Sequence, residues 1–499
     1  MRLSTHHSLV STSTTMSRAL QAQKTRRLKG ILSRKREQTS AQLWFFFVLS
    51  MVAHPMLALF GAPFALLIAP VVVYMIWSRE PLYVPALILL STTMSSLSYI
   101  IFGTLFILFL TDRTVYQSTE MQVIAVLTLV SSLISVVAIA WHIFGAGKPV
   151  VLSYQQLSYG LATLPLFFGY AIGHRLERLN INHWVIPFAA LLVLHFFSAF
   201  VGYAVGRLTV VGSIIMTTIL LLSAFTPKSV AMVRPEVKLI AVAYFLVTLT
   251  SGGFKFTTQL AILIAFLIIY TLWQGNARAV VRYFLGPILV IAIIVIPIWV
   301  VQTTYGQSLS HYGTVDYLDF ASYPAYIKFK LFGDRGVLWY AAWEAIKSQV
   351  SLLPPGEWLR LEYETLQGQT VTEVDFGAHN TLLEALLRLG WVAGLSIATA
   401  IVMVLVRMGQ SIIAMRSHKS FVLLAASVFG VIASVMIFGQ YILQSSSAFA
   451  IFAMAGAVLG FAHKQPKGKP LRLGEIKRSR TAERTLKRRA RTGRIRRSS

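Results

Sequence analysis

Two short clusters in this chain carry residues of the types that move protons and hold anions. They are Gly333-Asp334-Arg335-Gly336-Val337-Leu338-Trp339 and Ala378-His379-Asn380-Thr381-Leu382-Leu383-Glu384. In the second, Thr381-x-x-Glu384 reads as a capping box, so a helix is predicted to start at about Thr381. His379 then stands just before the helix mouth, where the positive end of the dipole favours neutral imidazole. A neutral imidazole with an open lone pair is what a general base needs near pH 7. Free backbone N–H groups at the same mouth also suit an anion. The plainer alternative is a capping or interfacial histidine that bonds a loop carbonyl.

The first cluster predicts a helix running to about Val350, with Leu338, Ala341, Ala342, Ala345, Ile346 and Gln349 on one face. That face should pack on other apolar helices and would put Arg335 in the first turn. A cation is unfavourable there, so Arg335 calls for an anionic partner. Asp334 or Asp375 would serve. So would a phosphate, which a guanidinium grips bidentately.

What must position these clusters is a set of apolar helices. The chain is 56% hydrophobic and 13% charged, which excludes an ordinary soluble globular protein. Apolar runs of roughly 20 residues recur, the length needed to cross a bilayer as a helix. The short alternating segments of a membrane barrel are missing. Without cysteine, thiol nucleophiles and thiolate–metal sites are excluded. Both clusters fall within residues 303–379, or at their edge, in a polar loop holding nine of the eighteen acidic residues. Polar non-helical backbone cannot face lipid, so this loop belongs in water beside the membrane. Its many aromatics, among them Tyr305, Trp339, Trp343 and Trp358, suit the interface or the face of a sugar ring.

The net charge of +27 is concentrated at the ends. Residues 1–41 carry nine Lys/Arg against Glu37, and residues 464–499 carry fifteen against Glu475 and Glu483. By the positive-inside rule both tails are expected in the cytoplasm, with no nucleic-acid partner required. Spans are expected near 42–58, 61–77, 84–110, 121–144, 155–173, 183–205, 209–226, 238–250, 256–273, 281–302, 380–406, 420–440 and 446–463. Thirteen crossings cannot join two cytoplasmic tails. The suspect region is 42–110, where Pro55, Pro63 and Pro70 interrupt the runs and 84–110 is overlong. The expectation is therefore an all-α polytopic bundle of about twelve spans, a single membrane domain over 42–463 with the loop 303–379 outside, between the two basic tails. Gly390-Trp391-Val392-Ala393-Gly394 is a small-xxx-small pattern that lets a neighbouring helix approach closely.

The order Arg335-x-x-Leu338-Trp339, Ala378-His379-Asn380 and Gly390, in a late external loop, resembles the O-antigen ligase and polysaccharide polymerase superfamily. In that family an Arg motif precedes a His-x10-Gly motif, the spacing from His379 to Gly390. The motifs cover about the last 250 residues, and the rest is similar in topology only. The resemblance implies a glycosyltransferase of the bacterial inner membrane, working without cofactor or metal. The donor would be a polyprenyl-diphosphate-linked glycan and the acceptor a sugar hydroxyl, with a chain-length regulator and a flippase as companions. It makes His379 the base and Arg335 a ligand of the diphosphate. Where the family carries Ser-Arg-Gly, this chain reads Thr250-Ser251-Gly252-Gly253-Phe254-Lys255, leaving Lys255 as the nearest cation for a second phosphate contact. Two residues rather than three separate Arg335 from Leu338, which leans toward the polymerase branch over the ligase branch. A lipid-linked-sugar transporter is the rival from another class. It would need charges at mid-span, for which His54 and His142 are the candidates.

Overall fold

Segments of Leu, Ile, Val, Ala and Phe that must satisfy their own backbone hydrogen bonds become helices. The protein is described here by a computed structural model covering residues 45, 47–57, 59–91, 97–112, 118–145, 158–177, 181–201, 239–240, 242–243, 334–348, 360–364, 370–374, 377–415, 418–439, 441–443 and 445–465. The helices are α1 (Phe47–Leu57), α2 (Ala62–Ser78), α3 (Val84–Ser91), α4 (Leu97–Thr111), α5 (Thr119–Ala140), α6 (Leu164–Arg175), α7 (Ile181–Val201), α8 (Asp334–Ser348), α9 (Thr381–Ala414), α10 (Lys419–Phe438) and α11 (Ser445–Lys464). Among the described residues, three stretches are long and apolar enough to cross a membrane by length and composition: Met121–Ala138 in α5, the whole of α9, and Ser447–Lys464 in α11. The expected spans near 61–77, 121–144, 183–205, 420–440 and 446–463 coincide with α2, α5, α7, α10 and α11. Those at 209–226, 256–273 and 281–302 lie outside the described residues, and with them the total of twelve.

The overlong segment at 84–110 is not one crossing. It divides into α3 and α4, and the chain comes back to where it set out. Arg79, which follows α2, pairs with Asp112, which follows α4, at 2.8 Å. Asp112 is 5% exposed, so the pair is a tight clasp between the two feet of the excursion. The eight residues of α3 rise only about 12 Å, far short of the hydrocarbon thickness. Every residue of α3 is buried among other helices, which fits a segment that dips in and returns. An unbroken hydrophobic run could not reveal this, because the turn-back depends on a contact between residues 33 positions apart.

The bundle has two distinct ends. At one end Arg175 at the close of α6 donates to the Ser78 carbonyl (3.4 Å), and Lys464 at the close of α11 donates to the Leu176 carbonyl (3.3 Å). Arg79 and Asp112 belong to this end. At the other end Thr381 Oγ1 opens α9 by donating to the carbonyls of Gly439 (2.9 Å) and Val435 (3.3 Å) at the close of α10. A 3-10 turn, Tyr441–Leu443, packs on α9 and leads into α11, which then runs back to the basic end.

Among the described residues, α6 and α11 approach backbone to backbone through two interlocked glycine pairs, Gly169/Gly173 and Gly456/Gly460. A Cβ on Gly169 or Gly173 would collide with the carbonyls of Ala453 or Ala457. One on Gly456 or Gly460 would strike the carbonyls of Leu166 or Tyr170. Helices in lipid gain little from the hydrophobic effect, so such backbone-to-backbone packing is what holds them together. Buried hydroxyls do similar work on α5. Thr128 Oγ1 and Thr163 Oγ1 share a 3.0 Å hydrogen bond, while Ser131 and Ser132 donate to the Gly160 carbonyl.

One element departs from the all-α expectation. The polar loop contains an antiparallel hairpin, β1 (Arg360–Glu364) with β2 (Thr370–Val374), in the register Arg360 to Val374 and Glu364 to Thr370. Thr370-Val371-Thr372 and Val374 supply the β-branched residues that favour a strand. The segment is too short and too polar to register against a background of transmembrane helices.

Candidate active site at the mouth of α9

α9 begins at Thr381, the position the sequence indicates, but its cap is built differently. Asn380, fully buried, is the N-cap, and its Oδ1 accepts from the backbone N–H of Leu382 (3.0 Å) and Leu383 (3.1 Å). Asn caps at least as well as Thr. This releases the Thr381 hydroxyl for its carbonyl contacts with α10. Glu384, read from sequence as the far side of a capping box, reaches past the cap altogether. Its Oε2 accepts from the backbone N–H of Ala378 at 2.7 Å.

His379 lies between these two fixed points and takes a left-handed backbone, with φ of +49°. For a residue with a side chain this costs about 1–2 kcal/mol, and such strain survives only where its surroundings over-determine it. Here they do. Ala378 is tied down on one side and Asn380 on the other, and Glu384 N–H closes the first turn on the Asn380 carbonyl at 2.8 Å. His379 is part-exposed while Ala378, Asn380 and Thr381 are buried. The imidazole is thus part-exposed at the mouth, as is Leu382 beside it, while the capping residues are closed off.

Beneath it sits a buried ion pair that sequence reading missed. Glu384 Oε1 accepts from Arg388 Nε at 3.1 Å, with the two side chains 0% and 6% exposed. The signal was available: a Glu and an Arg four residues apart in an apolar run are an i,i+4 pair, and buried charges in such a run call for partners. Each hydrogen bond to a buried charge is worth about 1.5–3 kcal/mol, so the carboxylate ties the backbone before His379 to the helix that follows it.

Gly390 ends this first arm. Its φ and ψ of 74° and −179° fall where essentially only glycine goes, and they interrupt α9. The arm from Thr381 to Leu389 is about 13 Å long. The chain then folds against itself: a Cβ on Gly394 would lie 2.7 Å from the Ala385 carbonyl and 2.8 Å from the Leu386 Cα. In a straight helix residues nine apart are separated by about 13.5 Å. The small-xxx-small pattern is therefore real, but the helix it admits is the first arm of α9 itself. The glycine of the His-x10-Gly spacing is the hinge of that fold.

α8 covers the arm. Leu338, Trp339, Ala342 and Ile346 form one cluster with Ala378, Leu383, Leu386 and Leu387, and Trp343 meets Trp391 edge-on at 6.5 Å between ring centroids. Of the apolar face expected from sequence, Leu338, Ala342, Ala345 and Ile346 are used, with Trp339 added, while the Ala341 side chain and Gln349 lie outside the described residues. Arg335 stands in the first turn of α8, one turn before Trp339. α8, which bears Arg335, is thereby packed on the helix whose mouth His379 precedes, although the Arg335 side chain lies outside the described residues, as does Lys255.

Apolar helices of this length and composition suggest a membrane protein, and the strained histidine at the capped mouth of α9 is its candidate site. Residues 237–398 match the family model described as O-antigen ligase, so a domain of the O-antigen ligase and polysaccharide polymerase superfamily occupies that segment. The match takes in Lys255, Arg335, His379, the buried pair and the Gly390 hinge. A search of curated proteins finds no significant match.

Proposed function

We propose that the protein is a glycosyltransferase that polymerises polyprenyl-diphosphate-linked glycan repeat units in the bacterial inner membrane. The single observation that carries this reading is the left-handed, part-exposed His379, held at the mouth of α9 inside the segment matching the O-antigen ligase family. The acceptor hydroxyl attacks the sugar C1 and gives its proton to the His379 imidazole. The new O–C1 bond forms as the bond from C1 to the phosphate oxygen breaks, and the electron pair leaves with the diphosphate. Arg335, with Lys255, neutralises that leaving group, as preorganised electrostatic stabilisation requires. One displacement inverts the anomeric centre. Because side chains carry the phosphate charge, chelation by EDTA is expected to leave the rate intact; loss restored by Mg²⁺ would transfer that role to a metal.

The orientation follows from charge. The end bearing Arg79, Arg175 and Lys464 would face the cytoplasm with both tails, and the α9 mouth and loop 303–379 would face outward to the donor. The returning α3–α4 excursion supports an even number of crossings, since it removes one from thirteen. A phosphatase fused near Glu357 should be active and one fused at Pro470 silent.

The decisive experiment gives the purified protein the polyprenyl-diphosphate glycan extracted from cells lacking this chain. Long polymer with inverted linkages, absent with His379→Ala at equal protein, is the expected result. Transfer only to an added lipid acceptor would favour the ligase, the reading that the family description itself names. Movement of the glycan across a vesicle membrane without a new bond would replace both with transport.

A further inference from the structure

We propose that Glu384 is a positioning residue for His379, resting on the reading of His379 as the base. The carboxylate is fully buried and divides its oxygens between two partners. Oε2 takes the N–H of Ala378 at 2.7 Å, and Oε1 takes Nε of Arg388 at 3.1 Å. Ala378 is the residue whose peptide leads directly into the left-handed His379. On the far side Asn380 fixes its own backbone by capping α9. His379 therefore sits between two anchors, and the Glu384 anchor reaches back across the first turn of α9 to the peptide before the histidine. Relax it, and the peptide before His379 is free to leave the unfavourable conformation and carry the imidazole with it.

Arg388 gives this anchor its direction. A carboxylate alone in an apolar helix could rotate or take up a proton; held by the guanidinium one turn along, it keeps one oxygen aimed back at Ala378. The arrangement acts on backbone and never meets the substrate, so it should alter turnover and leave donor binding alone. Displacing a reacting group by about 1 Å costs about 10²-fold in rate.

The test uses the full-length purified protein and the polyprenyl-diphosphate glycan extracted from cells lacking the chain. Removing Glu384 alone strands a buried Arg, so the double variant Glu384→Met/Arg388→Met replaces the pair with apolar volume, a change that buried pairs often tolerate. It should accumulate normally yet lose about 10²-fold in kcat with KM for the donor within about twofold. Glu384→Gln/Arg388→Met keeps an oxygen acceptor for Ala378 with no buried cation left unpaired, and should retain most of the rate. When His379→Ala is added to the double variant, the loss should equal that of His379→Ala alone, because a residue acting only through His379 has nothing further to remove.

Additive losses, a rise in KM without a fall in kcat, or full activity in Glu384→Met/Arg388→Met would overturn the positioning role while leaving the base intact. Normal polymer from His379→Ala by itself would overturn the base, and the positioning role with it. The two failures are told apart by that single variant.

Discussion

The mouth of α9 and the seam between α6 and α11 both place backbone against backbone, yet they are built from opposite materials. At the seam, glycines and alanines let two helices touch backbone to backbone in regular helical geometry, with Tyr170, His174 and His463 gathered at its basic end. At the mouth the chain accepts a left-handed histidine, a glycine hinge and a buried ion pair within twelve residues. The first arrangement is what stability asks for. The second costs stability at every step and persists because hydrogen bonds and the α8 cluster enclose it. Strain and buried charge also meet at the Arg79–Asp112 clasp, where Arg79 is left-handed as well; at the α9 mouth they coincide with the segment that matches the O-antigen ligase family, and that coincidence is what supports the proposed site.

Variants can break or sharpen that contrast. The largest effect is expected at the histidine. His379→Ala should lower polymer formation by about 10²–10⁴-fold, the usual value of a general base, with membrane abundance unchanged. Immunoblotting beside a polymer assay separates the two quantities. Arg335→Lys comes next. It keeps the charge but loses the bidentate fork, and a severe loss of rate at normal abundance is expected.

The seam should answer in the other currency. Gly173→Leu drives a side chain into the Ala457 carbonyl and should cost about 1–3 kcal/mol or more, read as lower abundance and a lower melting temperature in detergent. The rate per folded molecule should hold. If Gly173→Leu instead lowered turnover at full abundance, the division between the two regions would collapse. Gly390→Ala tests the boundary between them: its φ of 74° makes any Cβ strained, at about 1–3 kcal/mol. It should lower both abundance and rate. Trp391→Phe keeps an aromatic ring against Trp343 and should be the mildest, changing stability by less than about 1 kcal/mol.

Local rules made much of this legible in the sequence. The start of α9 at Thr381, the position of Arg335 in the first turn of α8 and the bounds of α2, α10 and α11 follow from hydrophobic runs and cap chemistry. What escaped were relations between distant residues. Arg79 and Asp112 turn a single long span into a return trip, and no window along the chain contains both. The Gly390–Gly394 pair was visible as a packing motif, but the identity of its partner depended on a reversal at Gly390 that backbone angles alone reveal. Gly169/Gly173 and Gly456/Gly460 had the same spacing and passed unread because each lies in an unremarkable apolar run. Glu384 was recognised only for its nearest possible cap. Its longer reach to Ala378 and its bond to Arg388 needed the folded turn.

The seam also sets a timetable. Its halves are far apart in synthesis: Lys464 reaches back 288 residues to Leu176. At translation speeds of about 5–20 residues per second, α6 waits roughly 15–60 s before α11 leaves the ribosome. Throughout that interval a groove of bare glycine backbone stands open inside the bilayer. Something has to occupy it, whether lipid tails, the insertion machinery or a substitute helix of the same chain. α11 then displaces that occupant and closes the seam, so a chain that stops before Ser445 lacks this contact altogether.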